Sequence, residues 1–423
     1  MTPVHATVLS ETTAVLGFLL VLLIPCAAAG LALINAGLGR FRNAAHSMLS
    51  ALCVIAVAAV VYFLVGAAWQ GAAGQPAFAL HAAGQDWNWI GAGRFFLRGL
   101  ELAGWSSLAA LFGLMSVGLA AIIPLGGGAD RWRLGASCAS TVLLAGWTYP
   151  LFAHWVWGGG WLAQLGFIDS GGAGVIQVVG GLTALSITWI LGPRRGKFSP
   201  EGMPSALPGH NAVFVLLGCF LAWLGWLGLN GAGAILFTGV EASRVVLIAV
   251  NTTVAAGSAA LSVAAITRAR FGKTDASLCS NGWVAGLVAV SAGCAVVRPA
   301  AAVIIGLIAG ALVVYSVEWL ELHLAVDDPG GSVSVHAVAG LWGLFATGFL
   351  AAVTPGHWLV QLVGIATLLG FILPLTYGLN WLLNRLSPQR VAVEGERQGL
   401  DLHELGAGAY PDFMTHNEDF WQR

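Results

Sequence analysis

Two polar side chains stand out in this sequence because each interrupts a long apolar run at the same place in a repeated pattern. Gln177 lies eight residues after Asp169, in Asp169-Ser-Gly-Gly-Ala-Gly-Val-Ile-Gln177-Val-Val-Gly-Gly-Leu. His336 lies eight residues after Asp328, in Asp328-Pro-Gly-Gly-Ser-Val-Ser-Val-His336-Ala-Val-Ala-Gly-Leu, 159 residues further on. Laid over one another without a gap, the copies share the Asp, the Gly-Gly, a Val, a Gly-Leu and, three residues on, a Leu. An imidazole can take or give a proton near neutral pH. A glutamine amide both donates and accepts hydrogen bonds but does not titrate. Side by side, the two could hydrogen-bond and line a narrow path for a small polar molecule, without forming a two-histidine proton relay. The plainer reading of a lone histidine in an apolar segment is a packed side chain. Its place in a duplicated stretch argues for function, since intramembrane ionisable groups are rare and tend to be functional. Asp169 and Asp328 precede helices and read as caps that bond free backbone N–H groups. Asp169 could also draw a cation toward the mouth of a path.

The elements that position these residues follow from composition. Of 423 residues, 58% are hydrophobic and 9% charged, with mean hydropathy +0.83. Soluble domains carry about 25% charged residues, so this is an integral membrane protein whose partner is the lipid bilayer. A net charge of −1 suggests no nucleic-acid partner. Six scattered cysteines contain no C-x-x-C pair, which argues against a disulfide framework or a metal site. No nucleophile–base set or cofactor motif points to an enzyme.

A helix needs about 20 apolar residues to cross the hydrocarbon core. Eleven runs of that kind lie near 13–34, 47–68, 99–124, 136–157, 171–192, 211–236, 243–267, 280–297, 299–320, 331–353 and 357–384. None shows the two-residue alternation of barrel strands. The first run lacks a preceding basic residue and reads as a retained helix rather than a signal segment. Of the 18 Lys and Arg, 14 fall in the loops and tail on one side: Arg40, Arg42, Arg131, Arg133, Arg194, Arg195, Lys197, Arg268, Arg270, Lys273, Arg385, Arg390, Arg397 and Arg423. The positive-inside rule puts that side in the cytoplasm and the N-terminus outside. The fold class expected is therefore all-α, with eleven transmembrane helices in an inverted five-plus-five repeat (about 13–192 and 211–353) plus a final helix. A membrane domain spans 1–385 and a cytoplasmic tail 386–423. The first copy of the duplicated stretch opens span five from outside and the second opens span ten from inside, as inverted repeats require. Gln177 and His336 then lie roughly 12 Å in from their aspartates and meet near the midplane.

Other polar and aromatic positions have two readings each. Trp157, in His154-Trp-Val-Trp157-Gly-Gly-Gly-Trp161, belongs either to an interfacial aromatic belt or to a vestibule where its ring face attracts a cation. Asn230, in Gly225-Trp226-Leu-Gly-Leu229-Asn230, is helix glue or path lining. Arg94, Arg98 and Glu101 are expected to share a helical face at the end of a span.

These stretches resemble the ammonium transporter family (Amt/Mep/Rh) over nearly the whole chain. The resemblance is carried by His154-Trp-Val-Trp-Gly-Gly-Gly-Trp-Leu, Asp169-x-Gly-Gly, Gly225-Trp-Leu-Gly-Leu-Asn230, Asn251-Thr-Thr, Asp327-Asp328-Pro with Val335-His336, and Gln398-Gly-Leu-Asp401. It implies a homotrimer in the inner (plasma) membrane, with one narrow pore per protomer. In the family, ammonium is recruited at an outer vestibule, loses a proton and passes two hydrogen-bonded histidines. Matched stretch to stretch, Trp157 takes the vestibule tryptophan position, Asp169 the nearby aspartate, Trp226 a pore-lining tryptophan and His336 the second pore histidine. Four positions depart from the pattern. Gln177 stands where the first histidine is expected. Phe112 and Ser116 fall at two phenylalanine positions, Leu229 at the gate phenylalanine, and Gly233 replaces a serine that would bond the cation. These departures predict a wider gate and weaker ammonium binding. The tail resembles a region that couples protomers and answers to the P-II signalling protein. Because the pattern decays after Asp401, P-II is only a candidate partner. The function implied is an ammonium/ammonia transporter or channel. The alternatives are an ammonium sensor with little flux, or a channel for a neutral molecule such as carbon dioxide.

Overall fold

In a computed structural model of the chain, residues 9–71, 76–100, 104–351 and 356–410 are described. Among them, nine helices are long and apolar enough to cross a membrane: Glu11–Leu38, Phe41–Gln70, Trp105–Gly128, Ala173–Leu191, Ala212–Phe237, Ala242–Phe271, Pro299–Leu324, Val333–Leu350 and His357–Leu386. Large apolar side chains such as Val213, Val246 and Leu261 remain at least 70% exposed on these helices, which suits a lipid environment.

The other two expected spans are helical as well, but of a different kind. Residues 134–156 form one continuous helix with a π-turn at Leu144–Thr148. Its Ser137, Ser140, Thr141, Thr148 and His154 dilute its apolar character, and all five are buried against neighbouring helices. Ala276–Ser291 has 16 residues, about 24 Å, short of the ~30 Å hydrocarbon core. From Ser280 to Ser291 every residue except Trp283 is buried. An element wrapped in protein need not match the bilayer in length or hydropathy.

Three expectations need correction. The third span begins at Trp105 rather than 99, because Arg94 adopts a left-handed backbone and Phe95–Leu97 forms only a short 3₁₀ turn. Arg94 and Arg98 therefore share no helical face; Arg98 instead lies over the Phe96 ring, and Glu101 falls outside the described residues. The tail beyond residue 410 also lies outside them. Finally, a β-hairpin, Pro76–Ala82 paired with Gln85–Gly91, occupies what reads in the sequence as a loop. Ala83 and Gly84 both have positive φ, the two-residue turn that matches strand twist. The hairpin is fastened to helix 134–156 and the loop after it. Trp155 Nε1 donates to Trp89 O at 2.8 Å, and Asn88 Nδ2 donates to Gly159 O at 3.3 Å. His154 lies between Gln70 O and Asn88 Oδ1, each 3.0 Å away.

The two copies of the duplicated stretch begin at opposite ends of the molecule. Arg131, just before helix 134–156, donates to Asp327 O at 2.8 Å. Trp157, just after that helix, donates to Asp169 O at 2.8 Å. A helix of 23 residues, about 34 Å long, thus separates the starts of the two duplicated helices. The basic loops gather at the Asp327 end, and the hairpin covers the Asp169 end.

Candidate functional site

Each duplicated aspartate starts its helix by accepting backbone donors. Asp169 Oδ2 accepts from the N–H groups of Gly174 (2.8 Å) and Val175 (2.9 Å), and Asp328 Oδ2 from Val333 N–H (2.6 Å). The second glycine of each Gly-Gly, Gly172 and Gly331, has φ of 82° and 69°, a backbone state that only glycine adopts without strain. Each helix then opens with a π-turn, Ala173–Val178 and Val333–Val338, before continuing as an α-helix. Such turns are rare and are frequent at functional sites. Gln177 and His336 sit in these two turns.

One turn further on, the two helices cross. A Cβ on Gly181 would collide with Ala337 N, and one on Gly340 would lie 2.7 Å from Val178 Cγ2. Gly181 and Gly340 are the same position of the two copies. The shared Gly-Leu of the sequence is therefore the point of closest approach, and it brings the side chains one turn before it together. His336 Nδ1 donates to Gln177 Oε1 at 2.8 Å. With this amide orientation, neutral His336 keeps an acceptor at Nε2. Gln177 Nε2 is a buried donor without a protein partner among the described residues. The pair thus offers one donor and one acceptor in surroundings where Gln177 is fully buried and His336 is 4% exposed.

On the Asp169 side of this pair, Trp226, Leu229 and Gly233 fall on one face of helix Ala212–Phe237 at spacings of three and four. Trp226 Nε1 donates to Ser291 Oγ at 3.2 Å. Trp226 and Leu229 are fully buried. Asn230 Nδ2 donates to Thr252 Oγ1, which makes it a link between helices. Its Oδ1, with Asp169 Oδ1 and Ser170 Oγ, is buried without a protein partner among the described residues.

The surroundings of Trp157 are more closely packed than a wider gate would be. Ser116 leaves no gap, because its hydroxyl lies 2.6 Å from the Tyr149 hydroxyl. Gly233 could not hold a serine without rearrangement, because a Cβ there would collide with Ser170 O. The space beside Trp157 is filled by Phe237, whose ring stacks at 4.4 Å and 6°. Phe112 meets both rings edge-on, at 5.6 and 5.3 Å. Where a wider gate is expected, a cluster of three rings stands. Phe237 is the residue missed in the sequence. Its signal was present, since it extends the face of Trp226, Leu229 and Gly233 by one more turn.

At the opposite end, buried charges are paired. Arg194 donates from Nε and Nη2 to both carboxylate oxygens of Asp327, each at 2.9 Å, and from Nη1 to Asp130 Oδ2 at 3.0 Å. Burial by itself would raise the Asp327 carboxyl. Arg194 and Arg131 outweigh it and hold the group below the usual carboxylate range. The tail closes over this cluster. Glu396 accepts from Arg195 N–H and Arg390. Asp401 accepts from Ala45 and His46 N–H, and Glu404 from Leu134 N–H and the His46 ring. The tail thereby caps the starts of helix Phe41–Gln70 and of helix 134–156. No group of three or more metal-ligating side chains occurs among the described residues.

The family model for the ammonium transporter family matches residues 14–410. The chain belongs to the ammonium transporter family. It is 36% identical over 420 residues to ammonium transporter Amt2 of Archaeoglobus fulgidus, covering 91% of this chain and 85% of that protein. Among solved structures, a sensor Amt protein superposes with a TM-score of 0.85 at 29% identity, covering 93% of this chain and 98% of that one. Mep2 of Candida albicans gives a TM-score of 0.80 over 91% of this chain and 87% of that one. At 24% identity this last likeness speaks for the fold alone. The chain is thus a multi-pass membrane protein with the architecture of Amt and Mep proteins, and its relatives are transporters rather than enzymes.

Proposed function

We propose that this chain conducts ammonium or ammonia across the plasma membrane along a path inside each protomer, past Gln177 and His336. The observation that carries the proposal is the 2.8 Å bond between side chains 159 residues apart, one on each duplicated helix. The bond leaves an amide donor and an imidazole acceptor free for a small nitrogen species. In this reading Trp157, Phe112 and Asp169 form the outer mouth, Trp226 and Leu229 line the descent, and Asp328 shapes the inner mouth. Ser116 and Gly233 flank the outer mouth without offering a ligand. The membrane domain (1–385) comprises eleven spans in an inverted five-plus-five repeat with a final helix. Its N-terminus is outside, and the tail (386–423) is in the cytoplasm. The protein is a homotrimer, and the docked tail is the candidate contact for a P-II protein.

Uptake of labelled methylammonium into proteoliposomes tests this reading. Measurable uptake that falls in His336→Ala is expected. A sensor reading has its own support in the likeness to the sensor Amt protein and in the aromatic cluster over the mouth. Ammonium binding without uptake would decide for it. The carbon dioxide alternative rested on a wider gate, and the ring of Phe237 removes that motive.

A further inference from the structure

We infer that Phe237 is the outer gate of the path, a movable ring that covers the cation-attracting face of Trp157 and must swing aside before an ammonium ion can reach it. The inference rests on the functional reading above. A cation binds an aromatic ring over its face, and on Trp157 that face carries the Phe237 ring, 4.4 Å away and parallel within 6°.

The other members of the cluster are fixed. Trp157 is tethered through Nε1 to Asp169 O at 2.8 Å, and its Cη2 atom backs onto Gly172, where a Cβ would lie only 3.0 Å away. Phe112 is fully buried within helix Trp105–Gly128. Phe237, by contrast, is half-buried and is the last residue of its helix. Thr238 follows, and then Gly239 with φ +64°. A rotation of this side chain toward the mouth breaks no hydrogen bond, because a phenylalanine ring makes none. Two other residues of this region, Ser116 and Gly233, do not substitute for it. Ser116 is engaged with Tyr149, and Gly233 has no room for a side chain. Access is therefore controlled by displacement of one ring from another. This would favour a small ammonium ion over a bulkier alkylated one, because the latter needs a larger swing.

The test compares the full-length protein, Phe237→Ala and Phe237→Leu in proteoliposomes, using ammonium-driven current, labelled methylammonium uptake, and ammonium binding to the purified protein. Removing a ring-on-ring contact should lower the half-saturating ammonium concentration in Phe237→Ala by about two- to tenfold. The rate for methylammonium relative to ammonium should rise, and Phe237→Leu should fall between. A purely structural role would lower both rates together and leave their ratio unchanged; that outcome overturns the gate. If Phe237→Ala fails to assemble, an unchanged ratio in Phe237→Leu overturns it equally. Flux that appears only when the ring is removed supports the gate while turning the wild-type protein into a sensor. If none of the three proteins binds or moves ammonium, the functional reading fails and the gate with it.

Discussion

At the scale of single residues, the chain replaces functional groups by shape. Gln177 keeps a hydrogen-bonding partner for His336 but has no titratable nitrogen, so a proton cannot be handed from one side chain to the other. Gly233 offers no hydroxyl, and the backbone oxygen of Ser170 occupies the space a side chain there would need. Gly233→Ser is therefore expected to leave ammonium affinity unimproved and to cost about 1–3 kcal/mol of stability through overpacking. Thermal unfolding together with ammonium binding checks this, and tighter binding at unchanged stability would contradict it. The Gln177–His336 pair was legible in the sequence, because equal spacing from two aspartates in a duplicated stretch demands equivalent places in two helices. The stack of Phe237 on Trp157 was not, because it depends on how two distant helix ends meet. A motif comparison looks for what a position lacks and overlooks a residue four places on that fills the gap.

At the scale of elements, the pair is set by two crossing helices, and the tail then fixes the ends of others. Asp401 is bonded to the N–H groups of Ala45 and His46 at the start of the second membrane helix. Asp401→Ala should cost about 1 kcal/mol, as losses of N-terminal caps do. Faster hydrogen exchange confined to residues 44–48 and to the tail should report it. Exchange unchanged there would mean that the carboxylate does not hold the helix end. Glu404 adds a dependence on pH. Burial would raise its carboxyl, but the hydrogen bonds from His46 and Leu134 N–H outweigh burial and bring it below its ordinary value of 4.5. A depressed folded-state value means that the stabilisation is present above the ordinary value and is lost as pH falls through the lowered one. The tail should thus stay docked at pH 5 and be released only in stronger acid, as limited proteolysis can follow. Release at pH 6 would contradict this assignment. The helices were readable from apolar runs of spanning length. The run expected at 280–297 is met by the shorter helix Ala276–Ser291, whose 16 residues need not span the bilayer because protein surrounds it from Ser280 onward. The hairpin escaped notice because it is a small outer cover beside much longer apolar runs.

At the scale of the whole molecule, one end is tied by buried charge and the other by aromatic packing. Arg194 joins Asp327 of the second duplicated stretch to Asp130 after the third helix. Truncating one member of a buried, fully bonded pair typically costs about 3–5 kcal/mol. Arg194→Ala should therefore lower the unfolding temperature far more than truncation of the exposed Arg98 does; equal effects would remove the cluster as a structural tie. The proposed inverted repeat rests on charge bias and an odd number of expected spans, and the opposite ends at which the two duplicated helices start agree with it. The proposed trimer leaves no comparable trace in a single chain; native mass measurement should find three copies per particle, and a monomer would contradict it. In the proposed function, the transported species passes Gln177 and His336. The most direct test of that path is ammonium flux across proteoliposomes as a function of pH, wild type beside Gln177→His. A second titratable ring at this position should alter the pH dependence of the rate or the current that accompanies it. Flux and current indistinguishable from wild type at every pH would place the path elsewhere.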